Sequence, residues 1–284
     1  MGKQRTFRTP YFTFNIKYFT QNEIEDRYST LIQKLFEADL KVKVHSDKYI
    51  FIRRLQLSSD KKFFYGTFSR ATKVEGDWID TITKEIVTFN VPPELYANAK
   101  EVDFVFIPDC HRLCLRRDSA FSHNVIHKFL EVGLGHIVDS NSELIINVET
   151  SEDILQRIYD AQRIKSLEVL ISYTNDDFGD EFEEWMDEEL KDSRISNFHY
   201  NAKPDSSGNI NVNSRLIKGT LALSKNNGNA IARIVNSDNK TETIKTVEHP
   251  KIDHVQLSSD SRDTYNFAKA LAIKLLALYR PTQS

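Results

Sequence analysis

The hydrophobic period of this chain changes near residue 149, and that change limits the fold more than any motif does. Before it, apolar and polar residues alternate in short runs. Tyr11 to Phe19 reads YFTFNIKYF, the two-residue period of a strand with one buried face. Tyr49 to Leu57 and Phe63 to Phe68 repeat the pattern on either side of SSDKK, which predicts a hairpin continuing into WIDTITKEIVTF. Asp103 to Ile107 and Arg112 to Arg116 add strands around a turn at Pro108 and Asp109, and Glu143 to Val148 adds a short one. Two helices interrupt these strands. One opens at Asn22, an N-cap with Glu25 three residues on, and runs to about Ala38; the other spans about Ser119 to Glu131 and ends at Gly133 and Gly135.

After residue 149 helices and strands alternate. Ser151 caps a helix, Ser166 to Tyr173 and Ser196 to Tyr200 read as strands, and Asn213 to Ser224 reads as a helix. Ala230 to Val235 and Glu242 to Thr246 follow as strands, and Ser261 to Leu278 closes as a helix. The strand–helix–strand unit from Ser166 to Tyr200 is compatible with a parallel, right-handed crossover. The expected class is α+β in two mixed lobes. Residues 1–149 hold a mostly antiparallel sheet with two helices, and residues 150–284 a smaller sheet with flanking helices.

Charge is distributed unevenly along this pattern. Asn175 to Asp192, NDDFGDEFEEWMDEELKD, carries ten carboxylates against Lys191 alone. Phe178, Phe182, Trp185, Met186 and Leu190 recur at helical spacing, so the segment reads as an amphipathic helix with a narrow apolar seam and a negative face. It accounts for nine net negative charges, which leaves +6 on the rest of a chain whose total is −3. Ten like charges repel one another, so a basic partner at Glu183, Glu184, Glu188 and Glu189 competes with the plainer reading of a solvated helix face.

The opening MGKQRTFRTPYF lacks the apolar run of a signal peptide. The longest apolar run, Ala268 to Tyr279, is too short to span a bilayer and contains Lys269 and Lys274. Two cysteines supply no disulfide framework. A cytoplasmic protein without membrane contact is expected.

Candidate chemistry is sparse. Cys110 and Cys114 flank His111, but a strand puts His111 on the opposite face, so two buried thiols are a simpler account than a metal site. His123 and His127 stand at i, i+4 without the neighbouring Glu of a metalloprotease helix. Asp77, Asp80 and Glu85 with Lys84 offer the groups of a metal-dependent nuclease in the wrong order. A tight turn at Gly76 and Asp77, with Trp78 anchoring the core, explains them more cheaply. No phosphate-binding glycine loop and no nucleophile elbow is present, so no catalytic residue, metal or cofactor is expected. Basic residues gather at strand ends: Arg53, Arg54, Arg70, Lys73, Arg112, Arg116 and Arg117. Residues 1–140 hold 21 Lys and Arg against 18 Asp and Glu, a modest excess compatible with phosphate contact.

FYGTFSRATKVEGDWIDTITKE, HRLCL, RIKSLEVLISYTNDDFGDEFEEWMDEEL and YNAKPDSSGNINVN resemble a bacterial family of unknown function, numbered 4747. More distantly, the strand at Leu167 to Tyr173, the loop at Pro204 to Ile210 and the elements after them resemble two proteins. These are the Rex exclusion protein A of a temperate phage and the DNA-binding subunit of the Kiwa defence system. That resemblance implies a dimeric, non-catalytic DNA-binding protein of bacterial antiphage defence. The expected partners are DNA, a second copy, and a protein from the same defence operon docking on the acidic helix. A nuclease effector and a pure interaction subunit are the alternatives.

Overall fold

The structure is a computed structural model that describes residues 6–19, 27–88, 90–172, 181–195, 197–258 and 263–278; within helix residues 181–183 it describes only the backbone. The first lobe contains β1 (Thr6–Phe19), α1 (Arg27–Glu37), β2 (Val42–His45), β3 (Lys48–Leu57), β4 (Phe64–Lys73), β5 (Trp78–Ile79), β6 (Ile86–Val87), β7 (Tyr96–Ile107), β8 (Arg112–Arg116), α2 (His123–Gly135) and β9 (Glu143–Val148). The second contains α3 (Glu152–Tyr159), β10 (Arg163–Ser172), α4 (Glu181–Asp192), β11 (Asn197–Ala202), α5 (Arg215–Asn227), β12 (Gly228–Val235) and β13 (Thr241–Lys245). The chain then adds β14 (Asp253–Ser258) and α6 (Thr264–Leu278). The class is α+β, as expected.

The large sheet runs β14–β1–β8–β7–β4–β3–β2, with β9 also on β1. Its pairings are antiparallel. Tyr11 pairs with both Arg116 and Asp253, and Phe14 with both Leu113 and Val148, so β14 and β9 share the edge of β1 opposite β8. Strand alternation sends Phe12, Phe14, Ile16 and Tyr18 to one face, where they pack with Phe68, Phe104 and the buried stripes of α1 and α2. Each buried ring there contributes about 1.5–3 kcal/mol. Tyr11, Thr13, Asn15 and Lys17 point to the other face. Part of that face is covered by α6, through Phe267, Ala268, Leu271, Ala272 and Leu275.

In the second lobe the sheet order is β11–β10–β12–β13, all antiparallel. The parallel crossover is therefore corrected: β10 and β11 pair antiparallel through Leu167↔Ala202. Met186 and Leu190 of α4 join Leu221, Leu223 and the inward residues of β10 and β12 in the core.

Other expectations change as well. Gly133 and Gly135 lie inside α2, not beyond it. A Cβ on Gly133 would come within 2.8 Å of Leu35 Cδ1, so this glycine marks the close approach of α1 to α2. Trp78 does not anchor the core: it is 44 % exposed on the β5–β6 hairpin, with Ile79, Ile82 and Ile86 exposed beside it. The N-cap expected at Asn22 and Glu25 lies outside the described residues, as do Phe178, Asn175 to Asp180, Tyr173 and Ser261. The strand β14 was not anticipated, and with α6 it returns to the first lobe's sheet. Residues 150–284 thus do not all pack together.

The chain crosses between lobes at residues 148–151 and again at 249–253, and the two crossings pair through Thr150↔Pro250. Around them lies a buried polar seam. Asn15 Nδ2 donates to Asn226 O at 3.2 Å, and Lys17 Nζ donates to Ser172 O at 3.3 Å. Ser172 Oγ donates to Asn227 O at 2.9 Å while accepting from Asn147 Nδ2 at 3.1 Å. Arg112, fully buried, pairs with Glu149 at 2.8 Å and donates from Nη1 to Cys110 O at 2.8 Å. Unpaired, such groups would cost several kcal/mol each, so these partners hold the lobes in one arrangement.

Candidate functional site

The register settles where the predicted basic residues go. On β4, odd positions from Tyr65 to Lys73 share the face that α6 partly covers. Thr67 faces Arg54 on β3 and Asp103 on β7, and Asp103 pairs with Arg116 of β8 at 3.0 Å. Arg53, the extra residue of a bulge between Ile52 and Arg54, pairs with Glu101 on the same face. Lys73 pairs with Glu75, which holds the Lys73 pKa above and the Glu75 pKa below their usual values. Beside Lys73 stand Tyr49 and Tyr96, ring centroids 5.4 Å apart and edge to face, with Lys43 of β2 paired to Tyr49. Arg53, Arg54, Lys73 and Arg116 are thus brought onto one sheet face with Lys43 and two tyrosines. From β2 to β7 this face is about 14 Å wide, three strand spacings. Arg54 has no side-chain partner among the described residues. Lys43 and Tyr96 were missed in the sequence because β2 has only four residues and β7 begins seven residues before Asp103.

The remaining three separate from that face. Arg112 is corrected: it is 0 % exposed and committed to Glu149, so a phosphate cannot reach it in the folded protein. Arg70 points to the opposite face, where Nη1 donates to Ala120 O and the guanidinium sits 5.9 Å from the Phe121 ring. It braces the turn at 118–121, in which Asp118 Oδ1 also accepts from Ala120 N at 2.7 Å. Arg117 follows β8 and opens into a different place.

That place is a cleft of about 550 Å³ between the lobes. First-lobe residues Phe12, Arg117 to Ser119 and Phe121 to His123 form one wall, and residues from 151–157 and 248–252 form the other. The N-termini of α2 and α3 both open here, and neither cap serine, Ser122 or Ser151, uses its hydroxyl as a cap. Arg157 is committed to Glu242 by two bonds of 3.0 and 3.1 Å, and Glu248 to Lys245 at 3.4 Å. Arg117 and Asp153 have no side-chain partner among the described residues. Burial, the foremost cause, holds the His123 imidazole below its usual pKa and therefore neutral at pH 7.

Of the other candidates, α4 exposes Glu184, Glu188 and Glu189, while the side chain of Glu183 lies outside the described residues. The helix face is not uniformly solvated. Asp187 is 2 % exposed and pairs with Lys191 at 2.8 Å, and Arg215 stacks 4.3 Å over Trp185. Asp80 turns its carboxylate to the N–H groups of Ile82 and Thr83, and Asp77 accepts from Thr88 at 3.0 Å. His127 contacts Ile146 O through Nε2 at 2.9 Å and lies 3.4 Å from Glu131, so the i, i+4 pair is turned to separate partners. Neither Cys110 nor Cys114 is in a disulfide, and both are buried. Burial raises the Cys114 pKa far above the thiol range.

Among the described residues no group of three His, Cys, Asp or Glu is placed to hold a metal, and no helix is long and apolar enough to cross a membrane. Comparison with curated proteins returns no match. A family model described as a domain of unknown function, DUF4747, matches residues 8–273. The chain that builds this sheet face and this cleft therefore belongs to the DUF4747 family.

Proposed function

We propose that the protein is a non-catalytic nucleic-acid-binding protein, with DNA as its ligand, that serves bacterial antiphage defence in the cytoplasm as a homodimer. One observation carries the binding part: Lys43, Arg53, Arg54 and Lys73 share a sheet face with Tyr49 and Tyr96. Cations on such a face meet phosphates while aromatic rings stack on bases, a division of labour suited to an unpaired strand. Glu75, Glu101 and Asp103 hold three of the arginines and lysines in place and would be displaced or bridged when phosphate arrives. The defence role and dimer follow the pattern resemblance to the phage Rex protein A and the Kiwa DNA-binding subunit.

Fluorescence anisotropy tests this with a labelled 30-base single strand and the matching duplex, titrated at several salt concentrations without metal. Four phosphate contacts on a single strand give a log–log salt slope of about −3. Arg54→Glu with Lys73→Glu should abolish that slope and the binding with it. Absence of binding to either form at low salt sinks the proposal.

A second reading, a protein-docking subunit, is favoured by the exposure of Glu184, Glu188 and Glu189 along one helix. Changing all three to Gln should then break a complex with a basic partner and leave nucleic-acid binding intact. The nuclease alternative has weaker support, because Asp77 accepts from Thr88 across the base of the hairpin and Asp80 from Ile82 and Thr83 within its turn.

A further inference from the structure

We infer that the interlobe cleft is a binding site for a free nucleoside phosphate, separate from the sheet face proposed for nucleic acid. The cleft's size, about 550 Å³, falls within the range of small-ligand sites. Its chemistry then selects the ligand class. Arg157 and Glu248 are paired within the protein, and Asp118, beside Arg117, accepts from the Ala120 N–H in its own turn. That leaves Arg117 and Asp153, on opposite lobes, as the charged side chains of the walls without a partner among the described residues. A bare anion would gain from Arg117 but be repelled by Asp153. A nucleotide satisfies both: its phosphate takes the guanidinium in a charge-assisted pair, and its ribose hydroxyls or base N–H groups donate to the carboxylate. His249 and Pro250, both half-buried, also line the cleft and offer a surface on which a base can rest. The open N–H groups of α2 add partial positive charge on the Arg117 side. Because Arg117 belongs to the first lobe and Asp153 to the second, a bound nucleotide would clamp the crossing segments together.

Isothermal titration of the full chain with AMP, GMP, CMP and UMP tests the inference, with adenosine and inorganic phosphate as comparison ligands. At least one nucleotide should bind, at least about tenfold tighter than adenosine or phosphate, as expected when one charge-assisted pair is added. Arg117→Gln should remove that advantage, and Asp153→Asn should weaken the nucleotide while leaving phosphate no weaker. Both side chains are exposed, so the variants should fold; should one fail, the other still decides the question. The inference is overturned if none of the four nucleotides binds, if phosphate binds as tightly as the best nucleotide, or if both variants bind like the parent. Loss of strand binding by the Arg54→Glu, Lys73→Glu protein with nucleotide binding intact would separate the two sites.

Discussion

Glu149→Ala removes the carboxylate facing a guanidinium that water cannot reach. Arg112 is 0 % exposed and the Glu149 side chain 7 % exposed, so neither partner can turn to solvent when the other is lost. Breaking a buried pair from one side costs about 3–5 kcal/mol, since the remaining charge stays uncompensated. Arg112 keeps its bond to Cys110 O, but a neutral carbonyl does not replace a carboxylate. With about 2–4 °C lost per kcal/mol in a chain of this size, the melting temperature should fall by about 6–20 °C. The double replacement Arg112→Met, Glu149→Leu removes both charges at once. It should recover most of the loss, leaving about 1 kcal/mol for the Cys110 carbonyl deprived of its donor. Calorimetry on the three proteins reads the result. A single variant that melts within 2 °C of the parent, or a double variant as unstable as the single, would refute the claim that the seam is held by a desolvated ion pair.

Three further outcomes follow from the packing. A Cβ on Gly228 would lie 1.8 Å from Leu170 O, so Gly228→Ala must separate β12 from β10 and cost about 3 kcal/mol or more in urea unfolding. Burial pushes the Asp253 pKa up, but bonds from Lys274, the His254 N–H and Tyr11 outweigh it and leave the carboxyl below its usual value. A lowered carboxylate stabilises above its unfolded pKa and loses that contribution as pH falls through the folded one. The anchor of β14 and α6 should therefore weaken below about pH 4, and Asp253→Asn should flatten that part of the pH–stability curve. Cys110 and Cys114 should resist a thiol reagent in the native protein at pH 8 and both react in denaturant; rapid native labelling of Cys114 would contradict its burial.

Much of the fold was legible because single elements announce themselves by period. The alternation of Tyr11 to Phe19 placed β1, and the stripe Tyr28, Leu31, Ile32 and Leu35 marked the buried face of α1. Relations between elements were not legible. Nothing local distinguishes β10 and β11 as antiparallel, since both directions bury the same residues. β14 carries only Val255 and Leu257 inward, too few to signal a strand. For the site, residue type was readable but surroundings were not: Arg112 and Arg116 point the same way on β8, yet one is buried against Glu149 at the crossing and the other meets Asp103. The cleft was out of reach, because its walls are far apart in sequence and meet only where the chain crosses twice.

The return of β14 and α6 to the first sheet sets a timetable for synthesis. Thr6 pairs with Ser258, so half of β1 waits for some 250 later residues before its edge is filled. Until α6 emerges, Tyr11, Val105, Cys114 and their neighbours present an uncovered apolar face on the ribosome. The second lobe must form in that interval, and its two ends are already pinned side by side at Thr150 and Pro250. Because those ends meet, a short turn joining residue 149 to residue 251 could replace the whole lobe. A shortened chain of that kind would close its sheet early and show whether the delay, rather than the contacts, governs how cleanly the protein folds.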